Sequence, residues 1–124
     1  MQNSVIEVNN ITKVFKDKQR GIIKAVDNVA FQCIPGEIFG LLGPNGAGKT
    51  TTLRILSTII KPSNGTAVLN GYDILSEPER VRASIGFLSS TTGLYPRLTP
   101  REILLYFGKL NNIPGDILKE NINL

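Results

Sequence analysis

The densest chemistry in this chain lies in Gly43-Pro44-Asn45-Gly46-Ala47-Gly48-Lys49-Thr50. The spacing matches Gly-x-x-x-x-Gly-Lys-Thr, the phosphate-binding loop pattern. A nucleoside triphosphate presents several negative charges. Backbone N–H groups can wrap it only where side chains do not intrude, and Gly43, Gly46 and Gly48 permit that approach. Lys49 is a point charge for the β- and γ-phosphates, and Thr50 offers a hydroxyl to Mg²⁺. Thr51 places a second hydroxyl near the α-phosphate. The competing reading is a structural turn that happens to fit the pattern.

Such a loop works only between a strand and a helix, and the flanking residues supply both. Ile38-Phe39-Gly40-Leu41-Leu42 is a continuous apolar run, the mark of a strand buried on both faces in a parallel sheet. Leu53, Leu56, Ile59 and Ile60 recur at helical spacing, which predicts a helix from about Gly48 to Lys61-Pro62. That helix points its positive end at the loop.

Upstream, Val5 to Ile11 and Ile22 to Ile34 read as strands around a polar turn at Lys16 to Gly21. Together they predict an antiparallel meander. Asn64-Gly65 and Asn70-Gly71 read as turns flanking a strand at Thr66 to Leu69. Ser76-Glu77-Pro78-Glu79 and Thr99-Pro100-Arg101-Glu102 have the capping-box pattern. The first predicts a short helix to about Ala83. The second predicts a helix with an apolar face of Ile103, Leu104, Phe107 and Leu110. Ile85 to Leu88 reads as a second short buried strand, and Asp116 to Leu124 as the start of one more helix. The expected class is α/β of the P-loop NTPase type: an antiparallel β meander plus an incomplete parallel core sheet with helices.

Composition narrows the chemistry further. The chain has 124 residues, 41% hydrophobic and 19% charged, which suits one modest core rather than a disordered segment. It has no His, which excludes His-ligated metals and His-based catalytic triads within it. The single cysteine, Cys33, excludes an internal disulfide and reads as a small core residue. No apolar stretch approaches the length of a membrane span, and Met1-Gln2-Asn3-Ser4 lacks a signal-peptide layout. An intracellular location is expected. Net charge is +4, with signs interspersed, so no nucleic-acid partner is expected.

The stretch from Gly36 to Thr51, with its "GPNGAGKTT" form, resembles the ATP-binding subunits of ABC transporters. The resemblance continues through Lys61 to Thr66, Ile85 to Leu88, and Gly93 to Glu102. The later stretch looks most like the subgroup linked to sodium export. The resemblance implies a partial ATP-binding domain, with the antiparallel β region and P-loop core over about residues 1–88 and the start of a helical subdomain over about 89–124. It implies ATP and Mg²⁺ as ligands, held by Gly43, Pro44, Asn45, Gly46, Ala47, Gly48, Lys49, Thr50 and Thr51. It implies a transmembrane permease subunit and a second ATP-binding subunit as partners. The location implied is cytoplasmic, peripheral on the inner face of the cell membrane.

Two further positions follow from the same resemblance. Phe15 sits where an aromatic residue stacks on adenine, or else is strand filler. Ser90 aligns where the family carries a Mg²⁺-touching Gln, so it is either a metal-facing hydroxyl or a plain loop residue. Tyr95 to Leu98 either belongs to the surface that couples to the membrane subunit or is an ordinary loop.

The family's Walker B strand, signature motif and switch His have no counterpart here. No Asp or Glu ends an apolar strand next to the P-loop strand, so no water-activating base is at hand. The full-length protein would be an ATPase that energises export, while this chain alone is expected to bind without hydrolysing. The P-loop strand would normally pair with the Walker B strand. An apolar edge without that partner predicts an oligomeric, swapped or partly ordered chain. The alternatives are a non-catalytic nucleotide-binding or regulatory module, or a P-loop protein of another kind such as a small kinase.

Overall fold

The computed structural model describes residues 4–91 and 93–123. They fall into two compact units, one ending at Phe87 and one running from Leu88. The first unit is built on a four-stranded antiparallel sheet in the order β2-β1-β3-β4. The strands are β1 (Ile6–Asp17), β2 (Gly21–Cys33), β3 (Asn64–Leu69) and β4 (Tyr72–Asp73).

β1 and β2 form the predicted hairpin, with Phe15 opposite Ile23 and Ile6 opposite Cys33. The pairing slips between Val8 and Val14. Asn10 and Asn28 take left-handed dihedrals (φ 51° and 50°) beside that slip, and the Asn10 carboxamide donates to Asn28 Oδ1 at 2.8 Å. Bulges of this kind tighten the strand twist. β3 joins the other edge of β1. Asn64-Gly65, expected as a turn, opens β3 instead. A Cβ on Gly65 would collide with the Asn10 backbone, so glycine is what lets the two strands meet there. Asn70-Gly71 is the expected turn, with both residues at positive φ (50° and 85°). That geometry suits a two-residue hairpin and creates β4, which the sequence did not announce.

Two helices pack on this sheet: α1 (Lys49–Leu56) and α2 (Pro78–Ser84). The core joins Val8, Ile11, Val26, Ile55, Leu56, Ala67, Leu69, Ile74 and Val81. Cys33 is buried, as expected. Burial pushes its thiol pKa up, and the neighbouring Glu37 charge adds to that. α1 stops earlier than predicted. Ser57 caps it and Thr58 turns left-handed (φ 62°), within a β-branched run that suits helices poorly. The Ser76 capping box does not form. Glu77 is the N-cap of α2 and makes no side-chain cap bond. Asp73 accepts from the Leu75 and Ser76 N–H groups instead.

The two predicted buried strands are the main departure. Residues 38–42 and 85–88 form no ladder among the described residues. Ile38 is 103% exposed and Leu42 is 93% exposed. Phe39 stacks on Phe31 with ring centroids 5.0 Å apart. Ile85 has extended dihedrals, and its side chain packs on the core, while Leu88 is exposed. An extended segment becomes a strand only when a neighbour accepts its hydrogen bonds. The parallel core sheet is therefore not assembled among the described residues.

The second unit contains α3 (Pro100–Leu110) and α4 (Gly115–Ile122). Leu124, the predicted end of α4, lies outside the described residues, as do Met1, Gln2 and Asn3. α3 opens on the predicted capping box. Glu102 N–H donates to the Thr99 hydroxyl, and the Thr99 N–H donates to the Glu102 carboxylate. The expected apolar face is not covered: Leu104, Phe107 and Leu110 are exposed. The helices instead meet at Gly108, where a Cβ would strike the buried Leu118 side chain.

Candidate functional site

The loop and the first turn of α1 line a cavity of about 360 Å³ in the first unit. Asn45, Gly46, Ala47, Gly48, Lys49, Thr50 and Thr51 form one side, and Ile23, Lys24 and Ala25 of β2 form the other. Two of these residues are lysines and none is acidic, so the walls favour an anion.

Glycine is required at one point above all. Gly48 has φ 93°, and a Cβ there would collide with the Ala25 carbonyl oxygen. The loop can lie against β2 only because residue 48 has no side chain. Gly48 is also the N-cap of α1, so this helix end has no side-chain cap, and its first turn has no acidic residue. The N–H groups of Lys49, Thr50 and Thr51 head the helix and carry its positive partial charge. An uncapped helix start beside lysines is the arrangement that takes phosphate oxygens.

The loop holds itself in shape. Ala47 N–H donates to Pro44 O at 3.1 Å. The Lys49 ammonium donates to Gly43 O and to Pro44 O. Thr52, 3% exposed, returns its hydroxyl to Gly48 O at 2.8 Å and so fixes the first turn. Gly43 and Pro44 thus position Lys49 rather than line the cavity. Thr50 is exposed and Thr51 half-buried, both on the cavity side of α1. These residues fit a triphosphate. Among the described residues no cluster of His, Cys, Asp or Glu could hold a metal. A Mg²⁺ here would rest on the Thr50 hydroxyl and on phosphate oxygens.

Phe15 and Ser90 are not among the residues that line this cavity. Phe15 sits on β1, 41% exposed, with the Lys13 ammonium 5.2 Å from its ring centroid. Its cross-strand partner Ile23 does line the cavity, and paired residues share a face of the sheet. Ser90 belongs to the second unit, where it is an exposed turn residue. Ile23, Lys24 and Ala25 escaped the sequence reading. The one signal for them was the hairpin itself, since counting back from the turn after Asp17 sets Ile23 opposite Phe15.

A family profile described as ABC transporter matches residues 26–122. The chain belongs to the ABC transporter family. It is 39% identical over 119 residues to the ABC transporter ATP-binding protein NatA of Bacillus subtilis, covering 95% of this chain and 48% of that protein. It is 43% identical over 105 residues to the doxorubicin resistance ATP-binding protein DrrA of Mycobacterium tuberculosis, covering 85% of this chain and 31% of that one. A solved dimeric bacterial ABC transporter cassette superposes with a TM-score of 0.77 at 28% identity, over 93% of this chain and 53% of the cassette. A post-hydrolysis state of that cassette, bound to ADP and Pi, gives 0.76 over 94% of this chain and 53% of the cassette. The chain spans about a third to a half of the length of these proteins. It is ATP-binding-subunit sequence of the family, with the α/β P-loop fold. None of its described helices is long and apolar enough to cross a membrane.

Proposed function

We propose that this ABC-family chain grips the phosphates of MgATP and is the ATP-binding portion of a subunit that energises export through a transmembrane partner. One observation carries the reading. Gly48 lies against the Ala25 carbonyl, and this turns the uncapped start of α1, with Lys49, Thr50 and Thr51, into a cavity free of acidic residues. On phosphate binding, the Lys49 ammonium exchanges the Gly43 and Pro44 carbonyls for β- and γ-phosphate oxygens. Thr50 holds Mg²⁺ and Thr51 meets the α-phosphate. Phe15 stacks on adenine from β1, where it pairs with the cavity residue Ile23, and the family resemblance supports a Mg²⁺-facing role for the Ser90 hydroxyl.

Hydrolysis needs a base, and among the described residues no acidic side chain lines this cavity, which supports binding without hydrolysis by this stretch of chain. The dimeric state of the related cassette supports a second ATP-binding subunit as partner. The name doxorubicin resistance, borne by one relative, supports an outward direction of transport. The subunit would act in the cytoplasm, against the inner face of the membrane, without a nucleic-acid partner.

The test is titration of the chain with a fluorescent ATP analogue and Mg²⁺, beside Lys49→Ala. Saturable binding is expected, weakened more than about tenfold in the variant. Equal binding by both chains, or none by either, overturns the reading.

A further inference from the structure

The chain contains three Asn-Gly bonds: Asn45-Gly46, Asn64-Gly65 and Asn70-Gly71. An Asn-Gly bond can modify itself. The glycine amide nitrogen attacks the asparagine Cγ, a C–N bond forms, and ammonia leaves with the amide proton. Water then opens the resulting succinimide at either carbonyl, giving aspartate or isoaspartate. Glycine permits this because no side chain obstructs the attack. The three sites share this local chemistry, and the fold makes them unequal.

We infer that Asn45 is a self-modification site within the phosphate loop, and that its conversion to aspartate or isoaspartate abolishes anion binding there.

Asn64 is restrained. The Gly65 N–H donates to Asn64 Oδ1 at 2.8 Å. Gly65 is wedged against the Asn10 backbone, and Asn64 is held in register opposite Thr12. Cyclisation would require that ladder to open. Asn70 is restrained differently. Its carboxamide nitrogen, the leaving group, donates to Ser84 O at 3.1 Å and Ser84 Oγ at 3.2 Å, and its backbone N–H donates to Val5 O at 2.8 Å.

Asn45 lacks both a strand ladder and a side-chain anchor; one bond, Ala47 N–H to Pro44 O at 3.1 Å, closes the turn around it. It and Gly46 are exposed in a turn outside any strand. Among the described residues, the Asn45 carboxamide and the Gly46 N–H make no hydrogen bond. The site's electrostatics add a driving force. The attack builds negative charge on the Gly46 nitrogen and then on the Asn45 side-chain oxygen. The uncapped start of α1 and the Lys49 ammonium stabilise anions at this place. What suits a phosphate oxygen also suits the oxyanion of the cyclisation. The product carries a carboxylate where the phosphates belong, and isoaspartate also inserts an extra backbone atom into the loop.

A bound nucleotide would occupy the same positive end, so it is expected to protect Asn45. That clause rests on the nucleotide-binding reading above. The order of reactivity does not.

The test is peptide mapping of the full chain by mass spectrometry after days at physiological pH and temperature. It is run folded, denatured, and folded with ATP and Mg²⁺. Conversion at Asn45 is expected to run several-fold ahead of Asn64 and Asn70 in the folded chain. In denaturant the three sites are expected to converge. Added ATP and Mg²⁺ should slow Asn45 several-fold, and binding of the fluorescent analogue should fall in step with Asn45 conversion. Asn64 or Asn70 reacting first in the folded chain overturns the inference, as does full analogue binding by chain converted at Asn45. If fresh chain binds no analogue, the nucleotide reading fails. The order of conversion in folded and denatured chain then still decides the inference about Asn45.

Discussion

Two apolar regions of this chain meet opposite fates. β1 and β3 place Val8, Ile11, Ala67 and Leu69 in a dry core. The run at residues 38–42 is as apolar as either strand, yet it leaves Ile38 and Leu42 in solvent and joins no ladder among the described residues. The difference is in partners, not composition. A hairpin strand finds its neighbour a few residues away, with the register set by the turn. A strand of a parallel sheet must be met by distant chain on both sides. An apolar run is therefore a conditional instruction, executed only where something covers it.

Truncating side chains in both regions tests that contrast most strongly. Ile11→Ala should cost about 2–5 kcal/mol, because its site on β1 is fully enclosed by the core. Ile38→Ala should stay within about 0.5 kcal/mol. Urea unfolding of the two variants measures both. Similar losses would mean that residues 38–42 are packed in solution, and the contrast would collapse.

The glycines sharpen it at the next level. Gly48→Ala forces a Cβ into the Ala25 carbonyl at φ 93°. It should cost about 1–3 kcal/mol and weaken analogue binding beyond tenfold. Gly40→Ala, with open space around its Cβ, should change neither by more than about 0.5 kcal/mol. Binding retained in Gly48→Ala would mean the loop does not need its contact with β2.

A smaller effect is expected in the second unit. Thr99→Ala removes the hydroxyl that accepts the Glu102 N–H, and should lower stability by ~1 kcal/mol and fray the start of α3. Backbone amide exchange at residues 100–103 would report it. Unchanged protection there would show that the cap contributes little.

The smallest effect expected is a pH dependence at Asp73. Partial burial raises its pKa. Hydrogen bonds from the Ser76 N–H, the Thr66 hydroxyl, the Leu75 N–H and the Ser76 hydroxyl outweigh that and hold it below its ordinary 3.8. A carboxyl depressed in the folded state contributes stability that is present above the unfolded pKa. That stability is lost as pH falls through the folded pKa. Asp73→Asn should therefore be less stable than the parent at neutral pH, and the gap should close below about pH 4. A gap independent of pH would sink this account.

Several local signals in the sequence were followed where the partner was also local. The loop, the Thr99 capping box, the Asn70-Gly71 turn and the β1–β2 hairpin all depend on residues within one turn or one hairpin of each other. The extent of α1 was misjudged because Ile59 and Ile60 keep helical spacing, but Thr58 turns left-handed before them. Ser76 was misjudged because Asp73 reaches its backbone N–H first. The apolar face of α3 was legible as a pattern, yet the contact with α4 runs through Gly108 and Leu118.

The sequence by itself determined the phosphate-loop pattern, because its glycines, lysine and threonines are contiguous and their chemistry is local. Only the tertiary structure decided what that loop rests on. It brings the Ala25 carbonyl against Gly48 and walls the cavity with Ile23 and Lys24, residues more than twenty positions upstream of the loop's end. It also decided which asparagine is left without a side-chain anchor and which apolar runs are covered. Such outcomes depend on contacts between segments far apart in the chain, and no local spacing encodes them.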